Sequence, residues 1–230
     1  MIADNLASVK HRIGEAARKV GRNPDSICLV VVSKQMPSEK IIAAHQAGAK
    51  CFGENKIQEA VSKIDEVNLQ DVSWHFIGHL QKNKIKFLHN HFDLIHSVDS
   101  FSLAKKISEY FESQRRVQPV LLQVNISGEE AKFGMTPSEL EDKLFDFAQL
   151  PGIEIKGLMT IPPQDPDPEN ARQYFSGLRQ LRDKCQNMNI NRVDLKELSM
   201  GMTGDYTVAV EEGATLVRVG TAIFGKRNPA

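Results

Sequence analysis

Short apolar runs of strand length alternate with segments whose apolar residues recur every three or four positions, from one end of the chain to the other. The strand-like runs are ICLVVVS (27–33), KCFG (50–53), SWHFIG (73–78), DLIHSV (93–98), QPVLLQVNIS (118–127), IEIKGLMTI (153–161), KELSM (196–200) and TLVRVG (215–220). Between them, SEKIIAAHQAG, NKIQEAVSKIDEV, SFSLAKKISEYFESQ, TPSELEDKLFDFAQL and ENARQYFSGLRQLRDKCQ read as amphipathic helices with Ser, Thr or Asn placed to cap them. MIADNLASVKHRIGEAARKV adds a helix ahead of the first strand. Strands in such alternation pair in parallel through right-handed crossovers. Eight units in 230 residues predict an α/β fold, a single closed (β/α)8 TIM barrel with an extra N-terminal helix. An open doubly wound sheet is the other arrangement the periodicity permits, because local pattern does not report closure. No linker or repeat divides the chain, and the Pro-rich IPPQDPDPEN (161–170) has the length of a loop after the sixth strand. One domain over residues 1–230 is therefore expected.

Composition narrows the partners. The chain is 41% hydrophobic and 25% charged, with 29 Lys plus Arg against 29 Asp plus Glu, so no net field favours nucleic acid or an anionic membrane. No uncharged apolar run reaches the ~18 residues of a membrane span, and the charged N-terminus does not read as a signal peptide. A cytoplasmic protein is expected. Cys28, Cys51 and Cys185 are odd in number and lack metal spacing, so they are expected to be reduced and structural.

In a barrel of this kind the active face lies at the carboxyl ends of the strands, and phosphate commonly binds after strands seven and eight. Lys34 follows strand one directly in VVSKQMP. A charged head at the edge of a core is costly unless it is paired, reaches water or loses its proton. The residues alone leave two readings, a snorkelling rim lysine and a nucleophile that forms a Schiff base. On the same rim, LSMGMTGDY offers Ser199 and Thr203 hydroxyls with Gly201 and Gly204 for tight turns, and VRVGTAIFG offers Gly220 and Thr221 at the start of a helical turn.

Taken in order, VVSKQMP, FGENKIQE, WHFIGHLQKNK, QVNISGEEAKFG, GLMTIPP and LSMGMTGDYTVAVEEGATLVRVGTAIFG resemble the pyridoxal 5′-phosphate homeostasis (YggS/PROSC) family across nearly the whole chain. The resemblance implies the alanine racemase-like barrel, the fold-type III architecture, with pyridoxal 5′-phosphate (PLP) held reversibly on Lys34 as a Schiff base. It places Asn55 near the cofactor ring, Ser199, Thr203, Gly220 and Thr221 around the phosphate, and Arg218 beside the pyridine nitrogen. His75 and Met200 complete the expected cofactor-binding set. Where the family often reads GMS, this chain reads GMT, which keeps a hydroxyl at Thr203. An arginine beside the ring nitrogen weakens the ring as an electron sink, because a guanidinium stays charged and accepts no proton. The family comparison implies that racemases of the related fold keep such an arginine but add a second domain with an opposing base, and with eight strands filling the 230 residues no such domain is expected here.

The implied function is that of a PLP-binding protein in vitamin B6 homeostasis, with no catalytic residue and no metal. A small PLP-dependent amino-acid racemase-like enzyme is the alternative, and a class I aldolase-type lysine without cofactor is a third. The expected partners are PLP and the apoenzymes or free amino acids that accept it. Neither nucleic acid nor membrane is expected, and the chain reads as a monomer that leaves weak dimerisation open. His75 and His79 have the i, i+4 spacing of metal ligands only on a helix, and their segment reads as a strand entering a loop. Trp74 is expected to pack between barrel and helices. His89 and His91 are expected at an exposed helix end, and Lys132 on the rim is a candidate to receive the aldehyde transiently from Lys34.

Overall fold

In the computed structural model, which describes residues 1–225, every one of the eight runs is a strand. β1 (Cys28–Val32), β2 (Cys51–Glu54), β3 (Ser73–Phe76), β4 (Leu94–Val98), β5 (Gln118–Gln123), β6 (Ile153–Met159), β7 (Val193–Ser199) and β8 (Leu216–Val219) pair in parallel in chain order. The eighth then meets the first, from Cys28 opposite Leu216 to Val31 opposite Val219, and the sheet closes. This decides for the barrel over the open sheet. β5 stops four residues short of the predicted run because Met135 accepts the Asn125 amide (2.9 Å) and returns its own amide to Gln123 (2.9 Å), drawing the chain out of the sheet. β7 starts three residues earlier than KELSM, at Val193.

The helices are α1 (Ile2–Lys19), α2 (Ser38–Gln46), α3 (Ile57–Val67), α4 (Phe101–Ser113), α5 (Pro137–Ala148), α6 (Arg172–Gln186), α7 (Tyr206–Glu211) and α8 (Thr221–Phe224). A 3₁₀ segment, Lys82–Phe87, replaces a helix between β3 and β4. His89 and His91 follow it half-buried, His89 beside the Tyr110 and Phe111 rings and His91 paired with Asp65 at 3.4 Å, so this is not the exposed helix end expected. The extra helix α1 is tied to the last turns of the fold: the Asn5 side-chain amide donates to Ile223 O (2.9 Å).

Alternation along the strands sorts their side chains into two apolar layers. Facing the helices, Val31, Phe52, Trp74, Phe76, Ile95, Leu122, Leu158, Leu198, Val217 and Val219 join the helical apolar stripes in one continuous core. Trp74 lies there, stacked on Phe52 at 5.2 Å. Each fully buried side chain of this size contributes about 1.5–3 kcal/mol of transfer free energy. Inside the barrel, Val30, Cys51, Leu94, Leu121, Met159 and Leu216 form a separate smaller cluster with Cys28 packed on it. The remaining inward positions include His75, His96, Ser199 and Arg218, all buried. Polar groups therefore share the barrel interior, and each needs a partner there. The three cysteines are free thiols.

Candidate functional site

At the carboxyl ends of the strands, a cavity of about 710 Å³ opens between the β1, β2, β7 and β8 loops, walled on one side by loop 161–168. Lys34, Asn55, Thr203, Arg218, Gly220 and Thr221 all line it. Gly204, expected on this rim for a tight turn, lines it as well. Val32, Ile77, Gly78, Met202 and Asp205 also line it and were not singled out in the sequence, although MTGDY displays Asp205 two residues after Thr203.

Lys34 is carried on a tight turn, in which Ser33 O accepts the Met36 amide (3.0 Å) and Gln35 adopts φ +60°. A non-glycine residue in that region costs on the order of 1 kcal/mol and persists only where neighbours hold it. Here they do: Gln35 N donates to Glu59 Oε1 (3.0 Å), and Ser33 Oγ donates to Glu54 Oε1 (2.6 Å). Lys63 Nζ completes the clamp by donating to Glu54 Oε1 (2.9 Å) and Ser33 O (3.2 Å). Glu54 is fully buried at the end of β2, and burial pushes its carboxyl above the usual value, opposed by the bonds from Ser33 and Lys63.

Across the cavity, the β7 loop turns at Gly201 (φ +88°), and Asp205 Oδ1 accepts the Met202 amide (2.6 Å). Burial raises the Asp205 carboxyl, while the amide bond and nearby Arg218 lower it. Gly204 has open space where a Cβ would stand. At Gly220 a Cβ would come 3.0 Å from Val32 O, so the β8 exit packs closely against β1. Arg218 is 5% exposed and lines the cavity as a cation; burial lowers it to about 10, with Asp205 opposing the fall. Arg218 Nη2 donates to Thr160 O (3.0 Å), and Nη1 donates to Ser199 Oγ.

Three expected positions lie elsewhere. Ser199 points into the barrel, with its hydroxyl engaged by Arg218 and by His96 Nδ1 (2.8 Å), so it backs the arginine and does not face the cavity. His75 is deeper still, joined to His96 at 2.9 Å and absent from the lining. Met200 faces the other way, completely buried in the core between barrel and helices. His79 stacks on Phe133 (4.0 Å) and pairs with Asp99 (3.2 Å), apart from His75. Lys132 pairs with Glu129 at 3.7 Å and is not among the lining residues.

The matching family model, alanine racemase, N-terminal domain, spans residues 5–228. The pyridoxal phosphate homeostasis protein of Aquifex aeolicus is 44% identical over 225 residues, 97% of each chain. The chain belongs to the pyridoxal phosphate homeostasis protein family. The Pseudomonas aeruginosa relative of that name is 42% identical over 99% of this chain and 96% of its own. PipY of Synechococcus elongatus, solved with PLP bound, is 38% identical with a TM-score of 0.86, over 98% of this chain and 100% of that one. Family membership agrees with the cavity's donor set, an amine, a guanidinium, an amide and two threonine hydroxyls on one rim.

Proposed function

We propose that the protein binds PLP reversibly through Lys34 and acts in vitamin B6 homeostasis in the cytoplasm, residues 1–230 serving as one cofactor-holding unit. The observation that carries the reading is the convergence of Lys34, Arg218, Thr203 and Thr221 on one cavity, in a chain whose relatives bear the homeostasis name and include one solved with PLP bound. Cavities of 300–1,000 Å³ are typical of small-ligand sites, and this one falls within that range.

The residues present fit the group. Lys34 would take the aldehyde, Asn55 would lie by the ring, Arg218 would face the ring nitrogen, and Thr203, Gly204, Gly220 and Thr221 would hold the phosphate. Gly204 leaves room for close approach of an anion, and the threonines add donors. When bound, PLP supplies an aldehyde carbon that passes between amines and a ring that withdraws electrons. Arg218 presents only donors, so it keeps its own proton and gives none up to the ring nitrogen. The clamp of Glu54, Lys63 and Glu59 on Ser33 and Gln35 fixes where Lys34 starts. Transfer of the aldehyde to a free amino acid or an apoenzyme needs only an amine that reaches the open side of the cavity. Among the described residues, no helix is long and apolar enough to cross a membrane.

Borohydride reduction after incubation with PLP, followed by peptide mass analysis, tests the reading. A pyridoxyl increment is expected on the peptide that contains Lys34 and is expected to vanish in Lys34→Ala. An increment elsewhere, or none, rejects it. Deuterium incorporation at the α-carbon of an amino acid would instead favour the racemase-like alternative.

A further inference from the structure

A continuous chain of polar contacts runs from the cavity through the inside of the barrel to its amino-terminal end. Arg218 Nη1 meets Ser199 Oγ, and Ser199 Oγ lies 2.8 Å from His96 Nδ1. His96 Nε2 lies 2.9 Å from His75 Nδ1, and His75 Nε2 lies 3.1 Å from Ser73 Oγ. Ser73 Oγ reaches Asp93 Oδ2 at 3.1 Å, an oxygen that also accepts the Trp74 amide at 2.8 Å. Ser73 opens β3 and Asp93 immediately precedes β4, so the chain ends at the opposite face of the barrel from Lys34.

Only one hydrogen assignment satisfies every member. A guanidinium has donors alone and an ionised carboxylate acceptors alone. Ser199 Oγ therefore accepts from Arg218 and sends its own hydrogen to His96 Nδ1. His96 must then carry its hydrogen on Nε2 and give it to His75 Nδ1. His75 likewise carries its hydrogen on Nε2 and gives it to Ser73, which donates to Asp93. The reverse tautomers would leave the fully buried Ser199 hydroxyl with no acceptor among the contacts it makes, and would set Ser73 and Asp93 oxygen against oxygen with no hydrogen between them. An unsatisfied buried polar group is penalised, so both ends of the chain select the same direction.

We propose that Ser199, His96 and His75 are positioning residues for the cofactor site: a one-directional relay, Arg218 to Ser199 to His96 to His75 to Ser73 to Asp93, fixes the Arg218 guanidinium on the cavity wall. The inference rests on the reading that Arg218 faces the ring nitrogen of PLP. It assigns a role to two histidines that touch no ligand, and it explains why β3 and β4 carry imidazoles inside a barrel. Burial keeps both rings neutral, His75 at about 4 and His96 well below its ordinary value, which is the state the relay requires. The charged neighbours are Asp93 on the His75 side and Arg218 on the His96 side.

The test uses the full chain labelled with ¹⁵N, without cofactor, and long-range ¹H–¹⁵N correlation of the imidazoles. His75 and His96, assigned in the wild-type protein by side-chain-to-backbone correlation, are expected as Nε2–H tautomers that do not titrate between about pH 5.5 and pH 8.5. An Nδ1–H tautomer, or protonation of either ring in that range, overturns the relay. For the positioning role, Ser199→Ala cuts the relay beside Arg218 without altering the cavity lining. It is expected to shift the absorption band of added PLP and the pH dependence of that band, while borohydride still fixes the adduct on Lys34. An unchanged band and pH profile in folded Ser199→Ala protein overturns the role. Failure of wild-type protein to form the Lys34 adduct strikes the cofactor reading alone, and the histidine tautomers then decide the relay independently.

Discussion

Ser33 Oγ and Glu54 Oε1 lie 2.6 Å apart at the carboxyl ends of neighbouring strands, both residues fully buried, one position before Lys34. This contact joins the turn that presents the lysine to β2 and, through Lys63, to α3. The turn that carries a strand-end lysine is thereby held by a buried carboxyl group.

That clamp predicts a stability effect. Lys63→Met leaves the Glu54 carboxylate buried without its cation and is expected to cost about 3–5 kcal/mol by urea denaturation. Adding Glu54→Gln removes the orphaned charge while keeping an oxygen that accepts from Ser33 Oγ, so the double variant is expected to recover a large part of the loss. Equal losses in the single and double variants would show that the charge is not what matters.

Acid should weaken the barrel from inside. His75 binds its proton near pH 4 in the folded protein against 6.5 when free, so the unfolded chain takes up the proton first as pH falls. Stability is therefore full above about pH 6.5 and declines toward pH 4, by about 3 kcal/mol from this residue alone. Denaturation curves of wild-type protein and His75→Gln, compared across that range, should show a shallower decline in the variant.

Two glycines on the cavity should differ in their tolerance of alanine. A Cβ at Gly78 would stand 2.1 Å from Asn55 O and 2.7 Å from Asn55 Cα, so the backbone at Asn55 has to move. Gly78→Ala is expected to lower stability by more than about 2 kcal/mol and to weaken PLP binding with it. Gly204→Ala meets nothing within 4 Å and should stay within about 0.5 kcal/mol of wild type in stability. Thermal melts with and without PLP separate the two.

Arg172 gathers Glu169 (2.7 Å), Glu211 (2.7 Å) and Glu212 (2.9 Å), tying the start of α6 to the end of α7, the helix that follows the Thr203 loop. The network is partly exposed and screened by salt. Arg172→Met is expected to cost about 1 kcal/mol at low ionic strength, and the difference from wild type should shrink in molar salt. A loss independent of salt would point to packing of the side-chain stem instead.

The eight strands and the lysine after the first of them were legible because both depend on short-range pattern, apolar runs of strand length and their ends. Lys34, Asn55, Thr203, Arg218, Gly220 and Thr221 all sit just beyond or at the end of a strand, and parallel strands in order bring such ends to one face. His75 and Ser199 show where that logic stops. Each lies near a strand end, yet both point into the barrel, and which neighbour they meet depends on how β3, β4, β7 and β8 are staggered around it. His96, within the fully buried run LIHSV, drew no attention because nothing in its own strand names Ser199, 103 residues away, as its partner.

By itself, the sequence determined the number and order of the strands, the longer helices between them and the side chains that stand at the strand ends, since backbone periodicity acts over a few residues; the short α7 and the 3₁₀ segment after β3 span too few turns to show it. Only the tertiary structure decided that the sheet closes, that Met200 turns outward, and that two histidines link Arg218 to Asp93. Those outcomes follow from strand twist and stagger summed over the whole barrel, and from the need of each buried polar group for a partner that only closure supplies.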